Sequence, residues 1–336
     1  MNHSAITRRR TLIFGFAAIC SFTLPSYAQL ATPTAIVLPE IARIIVGFPP
    51  GGAPDVIARR MAEQLTGKLA KAVIVDNRPG AGGRIALDVA RQSPADGLTL
   101  LLNPAGVLTI NPHSYKKLNY EPFKDLSPIS LAANIDFGFA VGSGVPPEIK
   151  TIAEFTQWAK ANPGKVSYGS PAAGSPPHFI GDALSRQQGI DITHIPYRGG
   201  VSMINDLIGG QLASGILTLG DLIPHEKSGK LRILAVSGTS RSRFLPQVPT
   251  FLEQKVTGLD LRDWMAFYIA GKPNPAVMAR VATLVSAAAA SPAFAQSLAV
   301  SGLEAAASTP EDLDKLGRKD LDRWGPVVKA SGFVAD

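Results

Sequence analysis

The feature that most constrains the fold is an apolar strand that turns through two glycines directly into a helix. Residues 44–46 (IIV) are typical of a buried strand, and Ile57, Met61 and Leu65 recur every four residues, as on one face of a helix. The turn between them is Phe48-Pro49-Pro50-Gly51-Gly52-Ala53-Pro54-Asp55. Such a turn directs free backbone N–H groups and the positive end of the helix dipole at one point, which suits an anion.

A second turn of this kind lies later in the chain. Residues 169–178 (GSPAAGSPPH) follow a strand candidate and open a helix, with Ser175 suited to the N-cap and Pro176 to the first helical position. Two such turns predict a clamp for a small molecule with negative ends. The expected ligand-binding residues are Phe48, Pro49, Gly51, Gly52, Ala53 and Asp55 in the first turn and Ser170, Ala172, Ala173, Gly174, Ser175 and His178 in the second.

Three further residues are expected to contact the ligand because they follow strand candidates, where sites of α/β proteins form. Tyr197 and Arg198 precede a helix that opens near Gly200, and Asn103 ends a strand of the first domain. Structural alternatives stay open for several candidates. Arg198 could instead form a salt bridge at the surface or between domains.

The same ambiguity holds for the two turns. Asp55 lies in the first helical turn, where a carboxylate stabilises the helix start, or it receives an ammonium group or a water. Ser175 is explained equally well by helix capping, and His178 by a capping or surface position.

The alternation of apolar β-branched runs with helical patterns predicts an α/β protein with parallel sheets. Strand candidates at residues 127–141 are followed by a polar, Pro-rich segment, 142–147, which marks the region of a domain crossing. Ala-rich helices between residues 275 and 329 are expected to return to the first domain. The expected domains are therefore residues 29–136 with 258–336, and residues 137–257, separated by a ligand cleft.

Residues 1–28 have the pattern of a cleaved signal peptide for the Sec or twin-arginine route. Three arginines precede an apolar stretch, and residues 26–28 (SYA) fit the cleavage site. An uncleaved anchor is the alternative. Cleavage removes Cys20, the only cysteine, and lowers the formal net charge from +7 to about +4. Nucleic-acid binding is disfavoured because no basic cluster remains.

Arrangements that would indicate an enzyme are missing from the sequence. Residues 77–83 (NRPGAGG) resemble a dinucleotide-binding turn, but Ile85 stands where the third glycine belongs. No G-x-S-x-G motif is present, and the four histidines beyond residue 28 lack metal-ligand spacing. We therefore expect no catalytic residues, no metal and no cofactor, and a turn at 77–83 that borders the cleft.

Taken together, five segments resemble the Bug family, the TctC-like substrate-binding proteins of tripartite tricarboxylate transport systems. They are residues 48–59 (FPPGGAPDVIAR), 77–85 (NRPGAGGRI), 111–129 (NPHSYKKLNYEPFKDLSPI), 168–181 (YGSPAAGSPPHFIG) and 194–211 (HIPYRGGVSMINDLIGGQ). The resemblance covers nearly the whole chain after residue 28. It implies a type II periplasmic binding protein fold of two α/β domains that close over one small carboxylate.

By the same resemblance, the function is capture of a small carboxylate for a tripartite transporter. The ligand could be a di- or tricarboxylate, an aromatic acid or an amino acid. The implied partners are this organic anion and the membrane permease subunits, and the protein is expected to be a monomer in the periplasm. The alternative is a sensor whose loaded form signals to a membrane receptor or kinase.

Overall fold

Two separate β-sheets organise the chain. The computed structural model describes residue 1 and residues 38–335. Almost all of the expected signal peptide, residues 1–28, lies outside the described residues. The first sheet contains, in chain order, β1 (Ile41–Val46), β2 (Ala72–Asn77), β3 (Thr99–Pro104), β4 (Leu126–Ile135), β10 (Asp263–Ala270) and β11 (Glu304–Ala305). The second contains β5 (Phe137–Val141), β6 (Ser167–Ser170), β7 (Thr193–Pro196), β8 (Ser214–Thr218) and β9 (Arg232–Val236).

The two sheets are mixed rather than purely parallel, so the expectation of parallel sheets was wrong in this detail. Their strand orders are β11-β4-β10-β3-β1-β2 and β7-β6-β8-β5-β9. β1 runs parallel to β2 and β3, but β10 is antiparallel to β3 and β4, and β5 is antiparallel to β8 and β9. β5 and β10 are the strands by which the chain enters a sheet from the other one. They begin at the cleft, where their neighbours end, and so run in the opposite direction.

The first crossing between the sheets falls at Asp136, the single residue between β4 and β5. It therefore lies earlier than residues 142–147, which belong to the second sheet's layer. There the Gly142 N–H donates to the Ala213 carbonyl at 3.2 Å. At the crossing, Arg262 Nε lies 2.8 Å from Asp136 Oδ1, so the outgoing and returning segments are joined by an ion pair.

Helices cover both sheets. Those beside the first sheet are α1 (Ala53–Leu65), α2 (Arg84–Arg91), α3 (Gly106–Thr109), α4 (Asn111–Ser114), α5 (Pro122–Asp125), α10 (Pro275–Ala289), α11 (Pro292–Ala299) and α12 (Pro310–Ser331), with a 3-10 turn at Ala81–Gly83. Those of the second are α6 (Ile152–Ala161), α7 (Pro176–Gln188), α8 (Gly200–Ile208) and α9 (Leu219–Lys227). We call the two assemblies the first and the second lobe.

The late helices pack as the sequence predicts. α10 contacts β4 and α1, and α12 contacts β4, α3 and α4, although α12 also reaches α7 of the second lobe. Local sequence sets where α10, α11 and α12 begin. The side chains of Asn274, Ser291 and Thr309 accept N–H groups of the first helical turn, and a proline follows each one.

Within residues 38–335 no single helix is long and apolar enough to cross a membrane. α10 and α11 meet that length and composition only as a pair, and they are bent by 55° relative to each other. Val285, Phe294 and Leu298 of this pair are buried in the core beside the first sheet.

Gly142 tests the packing of the second lobe. A Cβ at this position would lie 1.8 Å from the Leu207 carbonyl oxygen, which is backbone and cannot move aside cheaply. We expect Gly142→Ala to lower the free energy of unfolding by about 1–3 kcal/mol through overpacking. Gly106→Ala is the matched control, because its Cβ would meet only the side chain of Ile110 at 3.4 Å. Urea unfolding measures both, and equal stability of the two variants would contradict the packing described.

Candidate functional site

The C-terminal ends of the parallel strands from both lobes meet at one cleft, which holds two adjoining cavities. The inner cavity has a volume of about 140 Å³ and the outer cavity about 580 Å³. The inner cavity is lined by Phe48, Pro49, Pro50, Gly52, Pro54, Pro104, Ile135, Phe137, Pro171, Ser175, Pro176, Pro177, Arg198, Gly199, Gly200, Val201, Leu217, Thr218, Asp221, Asp263 and Met265. The outer cavity is lined by Gly47, Phe48, Pro49, Pro79, Gly80, Ala81, Gly82, Gly83, Tyr115, Pro171, Ala172, Ala173, Tyr197, Arg198 and Gly199.

The structure brings most of the candidates to this cleft. Phe48, Pro49 and Arg198 line both cavities, Gly52 and Ser175 line the inner one, and Ala172, Ala173 and Tyr197 line the outer one. Gly51 and Ala53 border a third cavity of about 340 Å³, which shares Gly52, Gly200, Val201 and Asp221 with the inner one. Asp55, Asn103, Ser170, Gly174 and His178 line none of these three cavities.

Asp55 stabilises the first turn from the side that faces away from the cavities. One carboxylate oxygen accepts the Gly51 N–H at 3.0 Å and the Arg59 Nε–H at 2.9 Å. The other accepts the Asn77 amide at 3.0 Å, and that amide also donates to the Phe48 carbonyl at 3.1 Å. Asp55 is only 3% exposed, so its carboxylate is used entirely by protein donors.

These contacts outweigh the cost of burial. Burial by itself would raise the pKa of Asp55, but the hydrogen bonds from Arg59, Gly51 and Asn77 lower it below its usual range. The carboxylate also lies in the first turn of α1, where the helix dipole favours a negative charge. The structure therefore favours the alternative in which Asp55 stabilises the turn and the helix start.

The second turn is held by a hydrogen-bonded group beneath it. The Ser170 hydroxyl donates to the Ala172 carbonyl at 2.9 Å and lies 2.8 Å from His194 Nε2. The Ser175 hydroxyl donates to the same carbonyl at 2.7 Å rather than capping α7. Ser170 is fully buried, so of these two serines only Ser175 reaches the inner cavity.

A pair of stacked histidines supports the same turn. His178 Nδ1 accepts the Gly174 N–H at 3.1 Å, and its ring stacks on His194 with centroids 4.0 Å apart. Burial lowers the pKa of His178, and burial together with the neighbouring His178 ring lowers the pKa of His194 to about 3. Both rings are therefore neutral at physiological pH. Phe333, after α12, packs edge-on against His178.

The Tyr197 side chain has a hydrogen-bond partner within the protein, whereas the Arg198 side chain has none among the described residues. The Tyr197 hydroxyl donates to Asp206 at 2.7 Å, and burial and this carboxylate raise the pKa of Tyr197 to about 12. Arg198 is exposed, and among the described residues it forms neither an ion pair nor a side-chain hydrogen bond. The interdomain salt bridge considered for Arg198 is therefore not formed, and its guanidinium is available to a ligand.

Asn103 lies below the cleft rather than in it. It is fully buried in β3, and neither polar atom of its amide has a partner among the described residues. A Cβ on Gly83 would lie 3.6 Å from its Oδ1, so Asn103 sits directly under the turn that lines the outer cavity. The sequence pattern that placed it at a strand end could not show on which side of the turn it faces.

The turn at 77–83 borders the cleft, although none of its residues was among the expected ligand-binding residues. Residues 79–83 form one wall of the outer cavity, as expected of a turn that borders the cleft. Gly80, Gly82 and Gly83 have φ of 133°, 62° and 93°, which favour glycine, so this sequence was a detectable signal. Tyr115 also lines this wall, and the Arg84 guanidinium carbon lies over its ring, 4.0 Å from the centroid.

Two acidic residues that line the inner cavity, Asp221 and Asp263, were not predicted from the sequence. Asp221, in the first turn of α9, accepts a hydrogen bond from the Thr218 hydroxyl. Asp263 begins β10, and one of its oxygens accepts the Trp264 N–H at 2.8 Å. Burial raises the pKa of Asp221 to about 6 and that of Asp263 to about 7. Nothing in the local sequence marks either residue, because only the tertiary fold brings them to the cleft.

No candidate metal site is found among the residues that the structure describes. Across residues 38–335 no group of three or more His, Cys, Asp or Glu side chains is arranged to hold a metal ion. The stacked histidines face Ser170 and the Gly174 N–H instead.

Known proteins share this architecture. A solved structure of Rpa4515 from R. palustris with adipate matches with a TM-score of 0.83 and 27% identity, covering 88% of this chain and 98% of that one. The periplasmic binding protein BugD matches with a TM-score of 0.82 and 27% identity, over 88% of this chain and 99% of that one. BugT of Bordetella pertussis is 31% identical over 293 residues, which are 86% of this chain and 89% of BugT.

The fold and its cleft are those of a two-domain periplasmic binding protein. The chain belongs to the TctC family, described as the tripartite tricarboxylate transporter family receptor, whose model matches residues 57–333. The fold class and the family resemblance predicted from the sequence are confirmed.

Asp55 offers a test of how the first turn is held. We expect Asp55→Asn to lower the free energy of unfolding by about 1–3 kcal/mol, because buried donors lose their charged acceptor. Glu63→Gln in the same helix is the control, since the exposed Arg60–Glu63 pair contributes about 1 kcal/mol or less. Urea unfolding of both variants gives the comparison. A loss for Asp55→Asn no larger than for Glu63→Gln would contradict this role.

The histidine pair predicts a dependence of stability on pH. The pKa of His194 is lower in the folded protein than its ordinary value of 6.5, so the unfolded chain binds the proton first. The stabilising contribution is fully present above pH 6.5 and is lost as the pH falls toward about 3. We expect His194→Gln to show a smaller loss of unfolding free energy between pH about 7.5 and about 5 than the parent protein.

The exposed His113 provides the control for this experiment. His113→Gln should lose as much stability on acidification as the parent protein does. If His194→Gln also loses as much, the stacked pair is not the acid-sensitive element.

Proposed function

We propose that the protein is a periplasmic receptor that captures a small carboxylate in the cleft and delivers it to the membrane permease of a tripartite transporter. The observation that carries this proposal is Arg198. This residue lines both cavities, and its guanidinium has no carboxylate partner among the described residues. Most of the lining is apolar side chains and backbone, and neither Asp221 nor Asp263 pairs with Arg198, so a ligand carboxylate is the partner that this group lacks.

The surrounding turns support the same ligand chemistry. Residues 80–83 and 172–173 line the outer cavity with glycine and alanine, so a ligand can approach their backbone closely. Closure of the lobes would exclude water and strengthen each hydrogen bond formed there. The adipate bound to the related Rpa4515 agrees with a carboxylate ligand.

The remaining parts of the proposal follow from the receptor role. Residues 1–28 direct export and are removed, and the mature chain acts as a monomer. Residues 29–136 with 258–336 and residues 137–257 form the two domains that close over the ligand. The ligand is released to permease subunits unchanged, so the protein binds without turnover and requires no cofactor.

A thermal-shift screen tests the receptor function. We expect at least one small carboxylic acid, among di- and tricarboxylates, aromatic acids and amino acids, to raise the melting temperature. The physical reason is that a ligand at a hundredfold excess over its Kd stabilises the folded state by roughly 2.7 kcal/mol. Arg198→Ala should weaken binding of that acid about tenfold or more, because Arg198 is the one arginine among the described residues that line the two cavities.

Arg186→Ala is the matched control, since Arg186 lies in the same lobe, far along α7, and pairs with Asp182. This variant should bind the acid as the parent protein does. Mass spectrometry of the recovered acid tests for turnover. A screen in which no acid stabilises the protein would rule out the receptor function, and a chemically altered acid would show an enzyme.

A further inference from the structure

The second turn and the helix after it pack against an aromatic ring that follows the last helix of the first lobe. This ring is Phe333, and it lies edge-on to His178, with the centroids 5.0 Å apart and the planes at 82°. Phe179, the next residue of α7, meets the same ring at 5.9 Å and 76°. Edge-to-face aromatic pairs of this kind stabilise a contact beyond the apolar area that they bury. The contact therefore joins a segment beyond α12 to the start of α7.

Gly174 of the second turn packs against the same ring. A Cβ at this position would lie 2.8 Å from Cε1 of Phe333 and 3.3 Å from its Cζ, so the ring occupies the space that a side chain would need. Gly174 also has a φ of 73°, which favours glycine. The absence of a Cβ thus lets the ring meet the backbone of the turn directly.

Phe333 covers one of the hydrogen bonds that shape this turn. The Gly174 N–H donates to His178 Nδ1 at 3.1 Å, and Phe333 packs against both partners. His194 stacks on the same imidazole at 4.0 Å. An apolar ring beside a hydrogen bond keeps competing water away, and the lower local dielectric strengthens the bond. The turn is therefore held by a hydrogen bond that Phe333 shields.

The second turn lines the binding cleft, although Phe333 itself does not. Ala172 and Ala173 line the outer cavity, and Ser175 lines the inner one. Phe333 lines neither of these cavities. Any influence of Phe333 on a ligand must therefore act through the position of the turn.

Ala335 attaches the same segment to the opposite wall of the outer cavity. Its N–H donates to the Ser114 carbonyl at 2.7 Å, and it pairs with Tyr115 in a parallel β-bridge. Tyr115 lines the outer cavity on the side of the first lobe. Phe333 and Ala335 thus contact the segments that form both walls of this cavity.

We infer that Phe333 is a positioning residue of the binding site. It holds the second turn in the conformation that lines the outer cavity, and Ala335 ties it to the Tyr115 wall. This inference rests on the proposed receptor function and adds a residue outside the cleft to it. Without the ring, water reaches the Gly174–His178 hydrogen bond and the turn adopts other conformations. Only the molecules with the turn in place then bind, so the apparent Kd rises by the inverse of their fraction.

Two measurements on Phe333→Ala test the inference, one of them without a ligand. Hydrogen exchange followed by NMR reports how often the Gly174 N–H leaves its acceptor, and we expect exchange about tenfold or more faster in the variant. Isothermal titration calorimetry gives the Kd of succinate, adipate, citrate, benzoate and glutamate. For each acid that the parent protein binds, we expect the Kd to rise about tenfold or more.

Matched variants separate positioning from a general loss of stability. Val334→Ala alters the next residue, which is 53% exposed, and should leave both measurements unchanged. Gly142→Ala lowers stability at the end of β5 that is remote from the cleft, and should bind the acids as the parent protein does. Phe333→Leu keeps an apolar side chain beside the hydrogen bond and should restore most of the affinity that Phe333→Ala loses.

Ala335→Pro tests the same attachment with the ring intact. It removes the N–H that is donated to Ser114. We expect faster exchange of the Gly174 N–H and weaker binding of the same acids. This variant decides the question if Phe333→Ala does not fold.

The outcomes separate this inference from the receptor function. If the parent protein binds an acid and Phe333→Ala binds it equally well, or if exchange of the Gly174 N–H is unchanged, the inference is wrong and the receptor function stands. A loss of affinity in Gly142→Ala as large as in Phe333→Ala would overturn it as well, because stability alone would then explain the effect. If the parent protein binds none of the acids, the receptor function is overturned, and the exchange rates still decide whether Phe333 holds the turn.

Discussion

The direction of the strands is the constraint on which the site depends. In each lobe the parallel strands end at the cleft, so the turns that follow them, and the starts of the next helices, all face the same space. β5 and β10 enter from that space and must run the other way. The chain can therefore cross between the lobes at one residue, Asp136, and return beside it, held there by Arg262.

The turns of the cleft are shaped by polar groups that lie behind them. Asp55 holds the first turn through Gly51, Arg59 and Asn77, and the stacked pair His178 and His194 holds the second from below. Asp55 and His178 are buried, and both accept hydrogen bonds from the protein itself. These contacts hold the backbone of the two turns in position, as a site made largely of backbone and small side chains requires.

The charges of the cleft then decide what the site can hold. Arg198 lies where the two cavities adjoin and has no carboxylate partner among the described residues, while Asp221 and Asp263 line only the inner of these two cavities.

Local sequence determined much of this protein. The alternation of strands and helices was predictable from periodicity, and the glycines of 48–55 and 77–83 marked turns in which Gly51, Gly80, Gly82 and Gly83 have positive φ. Five ordered segments were sufficient to indicate the family. The order of strands in each sheet was not accessible in this way, since it depends on how the chain crosses between lobes.

What only the tertiary structure decided is where each polar side chain points and what it meets. Asp55, Ser170 and His178 occupy the turns that the sequence singled out, yet they face the interior, because donors from distant segments reach them there. Asp221 and Asp263 stand in unremarkable sequence and become part of the cleft because a helix start and a strand start from different lobes are folded together. Spacing along a chain predicts backbone geometry, whereas the charge inside a cleft is set by residues far apart in sequence.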